Sequence, residues 1–239
     1  MILNWVRCSS TLFFFAIATT SCWADSFDVA TTFEQGWTTH SNPNGVWSYG
    51  YSSGFANPVT LYDQTAQPGI NGPNAQYWVS SAVNVGESPS AEFNNGPAFN
   101  DGNVNFLANE FLLVAGIGGQ YSDLVFTAPA NGTYSIVSSF RGAQNGIGTV
   151  AEVLVQPTDA VLFNTSITAV GQTVPFDADV VLTTGEQVVF SVGPGLGLQN
   201  TGLSATITPV TTVPEPSSIM LFATGLIGLV GALRRKLFA

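Results

Sequence analysis

Residues 124–142, LVFTAPANGTYSIVSSFRG, show most clearly which kind of secondary structure this chain forms. Its first four residues are apolar or β-branched, and they end at a Pro-Ala-Asn-Gly sequence, which is typical of a turn. After the turn, polar and apolar side chains alternate, which is the pattern of a half-buried strand. The alternation predicts that four side chains share one face of this strand, namely Tyr134, Ile136, Ser138 and Phe140.

Short runs of the same kind recur between residues 25 and 209, where no long segment has helical periodicity. Gly, Pro and Asn separate these runs. They predict strands at residues 47–51, 75–79, 148–155, 161–163, 174–182, 187–192 and 203–207. Many short strands at close spacing predict an all-β body, an antiparallel β-sandwich formed by residues 25–209. A domain of about 185 residues is large enough to bury a core without disulfides.

Charge is distributed unevenly along the chain. Four of the five Lys and Arg residues lie near the two ends, whereas residues 25–209 hold fourteen Asp and Glu and one Arg, which gives a formal charge of 1 − 14 = −13. This charge excludes nucleic acid as a partner, and it disfavours acidic polysaccharides unless a divalent cation bridges them.

The N-terminal residues 1–24 have the pattern of a secretory signal peptide. Arg7 precedes a short apolar core at residues 12–18, and the small residues Cys22 and Ala24 precede a cleavage point before Asp25. Sec machinery and signal peptidase are the partners expected for such a segment. Its removal would take away both cysteines of the chain, Cys8 and Cys22. Lipidation at Cys22 is the alternative, although the Leu expected at the start of a lipobox is absent.

The C-terminal stretch VPEPSSIMLFATGLIGLVGALRRKLFA, residues 213–239, has three parts. The prolines of Pro214-Glu215-Pro216 favour extended backbone in a linker at residues 210–216. An apolar run follows, and it predicts a transmembrane helix with a basic tail at residues 217–239. The basic residues Arg234, Arg235 and Lys236 are expected to stay cytoplasmic, which places the body on the other side of the inner membrane.

These three features, in this order at the C-terminus, resemble the PEP-CTERM sorting signal of Gram-negative bacteria. The resemblance implies that an exosortase, an integral membrane enzyme, reads the signal. It also implies that the body is anchored transiently and then reaches the cell envelope, the surface or an exopolysaccharide matrix. An ordinary membrane anchor is the alternative.

A second resemblance covers residues 112–208. The segments LVFTAPANGTYSIVSSFRG, GTVAEVLV, VLTTGEQVVFSVGPG and NTGLSATIT are similar to jelly-roll domains of exported bacterial proteins. Such domains often carry a His-Pro-Gly turn where this chain has Leu113-Val114-Ala115-Gly116, so the His is absent here. The resemblance implies a jelly-roll-like sandwich, and it says less about function.

Aromatic residues in the N-terminal half are the candidates for glycan binding, since exposed rings stack on sugars. The candidates are Trp37, Trp47, Tyr49 and Trp78. The alternative is that these rings form the core of the sandwich.

Residues 100–105, NDGNVN, are rich in oxygen ligands and are the candidate calcium site, with Asp101, Asn103 and Asn105 as ligands. Asn, Asp and Gly also favour turns, so an ordinary turn is the alternative. The sequence indicates no other cofactor.

Catalytic motifs are scarce, because the single histidine, His40, has no nucleophile motif near it. Two carboxylate pairs, Asp177 with Asp179 and Glu87 with Glu92, are candidates for glycosidic hydrolysis. We expect a non-enzymatic surface or extracellular-matrix protein with weak glycan binding. A glycan-active hydrolase that uses a carboxylate pair is the alternative.

Overall fold

The computed structural model describes residues 25–146, 148–194 and 200–210. In chain order, these residues form β1 (Phe27–Asp28), α1 (Val29–Thr39), β2 (Trp47–Ser52), β3 (Thr60–Leu61), β4 (Gln64–Ala66), β5 (Ala75–Val79), β6 (Ser90–Asn94), β7 (Phe99–Asn100), β8 (Asn105–Phe106), β9 (Phe111–Val114), β10 (Tyr121–Thr127), β11 (Gly132–Gly142), β12 (Thr149–Gln156), β13 (Ala160–Ile167), β14 (Thr173–Leu182), β15 (Gln187–Gly193) and β16 (Thr201–Pro209).

Two antiparallel sheets form the body. Sheet A has the strand order β14-β11-β16-β9-β6-β5-β4, with β1 also paired to β16, and sheet B has the order β13-β12-β15-β10-β2-β3. The last eight strands, β9 to β16, contribute four strands to each sheet in the orders β9-β16-β11-β14 and β10-β15-β12-β13. This is the strand order of a jelly roll. The predicted all-β antiparallel fold is therefore confirmed, and the body is jelly-roll-like.

The core lies between the two sheets and contains side chains from both of them. The predicted face of β11 points into it, because Tyr134, Ile136, Ser138 and Phe140 are all buried. The segment at residues 124–142 does not form a hairpin. Its two strands, β10 and β11, belong to different sheets, so the turn between them crosses the edge of the sandwich.

The helix α1 was not predicted from the sequence. Asp28 caps its N-terminus by accepting a hydrogen bond from the Thr31 backbone N–H at 2.9 Å, and His40 ends it in the left-handed conformation. The helix contains four Thr and one Gly, which are weak helix formers. Burial of Phe33, whose ring lies 5.1 Å from that of Tyr49, stabilises the helix through tertiary packing instead.

Loops cover parts of the two outer sheet faces. On sheet A, Val104 and Phe106 from the β7–β8 region pack with Leu112 of β9 in a small second core. On sheet B, Phe55 and Val59 pack on a third cluster, which consists of Val125, Leu154 and Val189. The half of sheet A formed by β14, β11 and β16 keeps an exposed outer face, as the alternating exposure of β14 shows.

The predictions for the two ends of the chain concern residues that the structure does not describe. The predicted signal peptide (residues 1–24), the Pro-Glu-Pro motif and the predicted membrane helix (residues 217–239) lie outside the described residues. Within the described ranges, no helix has the length and apolar character needed to cross a membrane.

Candidate functional site

The aromatic residues predicted to bind glycans lie in the core. Trp47 and Tyr49 are 0% exposed and Trp78 is 2% exposed, while Trp37 is partly buried against the same core. The ring of Trp47 packs 5.4 Å from that of Phe126, and burial raises the pKa of the Tyr49 phenol. The prediction that Trp47, Tyr49 and Trp78 stack on sugars is wrong, because no ring face reaches solvent. The core alternative describes them correctly.

The candidate calcium loop is an ordinary turn between β7 and β8. Asp101 Oδ1 accepts hydrogen bonds from the backbone N–H groups of Asn103 (2.8 Å) and Val104 (2.7 Å). These bonds lower the pKa of Asp101, which is fully exposed. The Asn105 carbonyl accepts a hydrogen bond from the Arg141 guanidinium at 2.7 Å, which places a cation where a calcium ligand was expected. The geometry of Asp101, Asn103 and Asn105 therefore fits the turn alternative.

One of the two carboxylate pairs is exposed to solvent. Asp177 and Asp179 lie on the outer face of β14, where they are opposite Val137 and Ser135 of β11. The other isolated candidate, His40, is exposed at the end of α1, where its Nδ1 lies 2.6 Å from Thr65 Oγ1. His40 and Thr65 thus pair a base with a hydroxyl, but no carboxylate of the described residues hydrogen-bonds the imidazole to orient it.

The other pair, Glu87 and Glu92, is brought together by residues 70 and 71. Glu92 accepts hydrogen bonds from Asn71 Nδ2 (2.8 Å) and Ser90 Oγ (2.7 Å), and Glu87 accepts from the Ile70 backbone N–H. Burial raises the pKa of Glu92 to about 7, and the nearby charge of Glu87 adds to the shift. Glu92 is 0% exposed, so a glycan cannot contact its carboxylate in this structure.

An open cleft of about 270 Å³ lies on the outer face of sheet A. Its floor is formed by β11 and β16, and its walls by the start of α1, by residues 107–111 and by Thr173. Arg141 and Glu110 form a bidentate ion pair there, with Nε–Oε1 and Nη2–Oε2 distances of 2.7 and 2.6 Å. Their side chains are only 14% and 12% exposed, so the pair is a fixed and electrically neutral part of the cleft.

Two hydroxyl groups lie side by side on the cleft floor. Ser139 of β11 is the register partner of Ser204 of β16, and both line the cleft. Neither hydroxyl has a hydrogen-bond partner among residues 25–146, 148–194 and 200–210. Asn109, an exposed residue with a φ of 56°, forms part of the rim. Asp28 also lines the cleft, where its carboxylate accepts hydrogen bonds from Thr31 and Thr206. The cleft therefore offers hydrogen-bond donors and acceptors with a single unbalanced charge, which suits a neutral polyhydroxylated ligand better than an acidic one.

Sheet B carries two buried carboxylates that the sequence analysis missed. Asp123 of β10 and Glu152 of β12 are 1% and 5% exposed. Burial raises the pKa of Asp123 to about 6 and that of Glu152 to about 7. A sequence signal was present, since each acid lies directly beside apolar residues of a strand, in SDLVF or VAEVLV.

Comparison with known protein families gives one match, at the C-terminus. Residues 212–236 match the model of the PEP-CTERM protein-sorting motif. The chain ends in a PEP-CTERM sorting motif. The matched residues include the two predicted parts of the signal, Pro214-Glu215-Pro216 and the basic residues 234–236, so the resemblance stated above is confirmed. The motif indicates export and transient membrane anchoring before surface or extracellular localisation.

No curated protein matches this chain. Among solved structures, it is similar to a family 35 carbohydrate binding module from Clostridium thermocellum, with 11% identity over 56% of this chain and 87% of that chain and a TM-score of 0.29. A CBM4 structure has 11% identity over 47% and 89% with a TM-score of 0.30, and TmCBM61 in complex with β-1,4-galactotriose has 12% over 42% and 70% with a TM-score of 0.29. Scores this low say nothing of the ligand of this chain.

Proposed function

We propose that this protein is a non-enzymatic surface or extracellular-matrix protein, delivered by its PEP-CTERM motif to an exosortase-type enzyme of the inner membrane. The match at residues 212–236 carries this proposal. The enzyme would remove the C-terminal segment and release the jelly-roll body to the envelope or the matrix. Signal peptidase and the Sec machinery would act first, at residues 1–24.

The composition of the body supports work outside the cytoplasm. Residues 25–209 contain no cysteine, so oxidation outside the cell cannot crosslink them, and their formal charge of −13 favours solubility.

Fractionation of a Gram-negative host that carries an exosortase tests the sorting step. We expect the wild-type body at the surface or in the medium, with mass spectrometry showing a C-terminus upstream of residue 217. Glu215→Ala should leave the full tail attached and the protein in the inner membrane, because the motif is no longer read. Asp177→Asn, on an exposed strand far along the chain, is the matched control. Intact wild-type protein in the cytosol would overturn the proposal.

Neutral glycan binding is the second part of the proposal, and the cleft on sheet A is its best location. The free hydroxyls of Ser139 and Ser204 and the fixed Arg141–Glu110 pair can hydrogen-bond sugar hydroxyls from one side. The negative charge of the body disfavours acidic glycans. Since none of the four predicted aromatic residues lines the cleft, the binding should be weak.

A glycan array probed with the released protein tests this binding, with isothermal titration calorimetry on the ligands found. Removing both cleft hydroxyls, with Ser139→Val and Ser204→Val, should abolish the signal. Ser135→Val, on the same face of β11 but outside the cleft, should leave it unchanged. Unaltered binding by the double variant would exclude the cleft. Hydrolysis of any bound glycan would favour the alternative, a glycan-active hydrolase.

A further inference from the structure

Four side chains form a polar row across the outer face of sheet B. Glu152 of β12 is the register partner of Asn164 of β13 on one side and of Ser191 of β15 on the other, and Ser191 is the partner of Asp123 of β10. Since neighbouring strands lie about 4.8 Å apart, Ser191 stands midway between two acids whose backbones are about 10 Å apart. The row therefore presents two carboxylates, a hydroxyl and an amide on one face.

The hydrogen bonds in this row leave one carboxylate oxygen unpaired. Ser191 Oγ donates to Asp123 Oδ1, and Asn164 Nδ2 donates to Glu152 Oε1. Asp123 Oδ2 is buried and has no hydrogen-bond partner in the described ranges. The Ser52 hydroxyl lies near Asp123 and lowers its pKa against the larger effect of burial, although in this structure it donates to the Gly54 carbonyl at 3.0 Å. An anionic oxygen left without a partner in a buried position is strongly unfavourable, which points to a missing ligand.

A lid of aromatic and aliphatic side chains closes over this part of the sheet. Phe55 and Val59 pack on the apolar cluster of Val125, Leu154 and Val189. Each member of this cluster is two residues along its strand from a member of the polar row, so it lies on the same face of the sheet. The Phe55 ring meets the Tyr121 ring edge-on, with the centroids 5.2 Å apart. The pKa of Tyr121 is raised by desolvation first, and then by the charges of Glu152 and Asp123.

No side chain of the body is available to neutralise these two acids. Residues 25–209 contain no Lys and a single Arg, and Arg141 is bound to Glu110 on sheet A. A proton on Asp123 would remove the charge of that group, but it would leave Glu152 charged and would bring no new ligand to Oδ2. A hard divalent cation removes both difficulties, because it balances two carboxylates and takes Oδ2 as a ligand.

We propose that the outer face of sheet B binds a divalent cation between Asp123 and Glu152, and that calcium is the ion it takes. Ser191 Oγ and water complete the oxygen ligands, which calcium prefers and which it accepts in flexible geometry. The site differs from the Asp101 turn predicted from the sequence. It is independent of sorting and of glycan binding in the cleft. Calcium sites of exported modules work at about 0.1–1 mM, which is the affinity expected here.

Thermal unfolding of the full-length protein tests this site, in excess calcium and in EDTA. A ligand that binds only the folded state raises the midpoint, and we expect a rise of about 3 °C in about 5 mM calcium. Asp123→Asn and Glu152→Gln keep the size of the side chains and should each abolish the rise. Asp101→Asn, which alters the turn between β7 and β8, and Asp177→Asn should both retain it. An equal wild-type midpoint in calcium and EDTA would overturn the proposal.

Terbium luminescence gives a second reading that does not depend on variant stability. Terbium occupies calcium sites and emits when a nearby tyrosine or tryptophan is excited. Tyr121→Phe should lower the emission severalfold while the calcium-dependent midpoint shift remains. Emission unaffected by Tyr121→Phe but lost on Asp101→Asn would place the cation in the β7–β8 turn and reject the sheet B site.

Discussion

Carboxylate side chains on the outer faces of the two sheets lie in opposite environments. On sheet A, Asp177 and Asp179 stand in water, and the Glu110 carboxylate of the cleft is neutralised by Arg141. On sheet B, Asp123 and Glu152 are buried, and no cationic side chain of residues 25–209 is left to balance them. The comparison shows that the burial of a carboxylate here depends on the loop that covers it rather than on its position in a strand.

Loop cover explains this difference. Residues 53–59 lie over sheet B, and the β7–β8 region lies over the β5-β6-β9 part of sheet A, where Glu92 is also buried. The β14-β11-β16 part of sheet A keeps an exposed face, and the cleft lies on it. The molecule thus separates a face suited to a large external ligand from a covered face suited to a small ion.

Removing the cation of sheet A should have the largest effect of the changes considered. Arg141→Ala leaves Glu110 nearly buried without a partner and deprives the Asn105 carbonyl of its donor. Breaking a buried pair in this way costs about 3–5 kcal/mol, measured by urea unfolding. Glu110→Gln with Arg141→Ala should recover part of the loss, since no buried charge then remains. A loss below about 1 kcal/mol for Arg141→Ala would show that the pair is solvated.

Glu92 extends the comparison to a carboxylate of sheet A that is covered. Its pKa of about 7 in the folded protein exceeds the ordinary value of 4.5, so the folded state holds the proton to higher pH than the unfolded chain does. The stability from this group is present below about pH 4.5 and is lost as the pH rises to about 7. Glu92→Gln should therefore gain up to about 3 kcal/mol at pH 8 and nothing at pH 4.

Urea unfolding of both proteins between pH 4 and pH 8 measures this gain. Glu186→Gln, in an exposed turn, is the control and should run parallel to the wild type. A constant difference between Glu92→Gln and wild type at all pH values would contradict the raised pKa. The series needs EDTA throughout, because a cation at Asp123 and Glu152 would change the pH dependence of sheet B.

Local patterns in the sequence predicted the strands and the side chains that face the core. They did not predict which segments pack over the two sheets. The predicted strand at residues 75–79 matches β5, and the alternation around Ile136 placed its face correctly. Helix α1 was missed because Phe33 is stabilised by contacts with Phe93 and Phe111, far along the chain. The burial of Asp123 was missed for the same reason, since the loop that covers sheet B joins other strands. Hydrophobic periodicity reports pairing within a strand and not what packs over it.

A single added methyl group on the floor of the cleft tests the Arg141–Glu110 pair, with a smaller expected loss of stability. A Cβ on Gly202 would lie 2.2 Å from Glu110 Oε1, so Gly202→Ala should displace the carboxylate from Arg141. The expected cost is about 1–3 kcal/mol in urea unfolding, together with loss of glycan binding. The matched control is Gly132→Ala at the start of β11, where the added Cβ makes only an ordinary contact, 3.9 Å from Tyr134 Cε2. Full binding by Gly202→Ala would contradict a role for the ion pair in the cleft.

Opening the cover of sheet B should have a milder effect on stability. Phe55 is only partly buried, and Phe55→Ala removes its contact with the Tyr121 ring, at a cost of about 1 kcal/mol. The variant should exchange calcium faster, which stopped-flow mixing with a chelator measures, because water reaches Asp123 more easily. Leu61→Ala, on the exposed edge strand β3, is the control for general loosening. Unchanged exchange would mean that residues 53–59 do not limit access.

The smallest effect should come from the exposed acids of sheet A. Asp177→Asn and Asp179→Asn remove charges that water solvates and that no side chain of the described ranges pairs by a salt bridge, so each should change stability by less than about 0.5 kcal/mol. Both acids belong to a body of formal charge −13, and their removal reduces repulsion within it. Any change should therefore be a slight gain that shrinks as salt is added. A loss above 1 kcal/mol, measured by urea unfolding in low salt, would mean that this face is covered in solution, and the contrast between the two sheets would then fail.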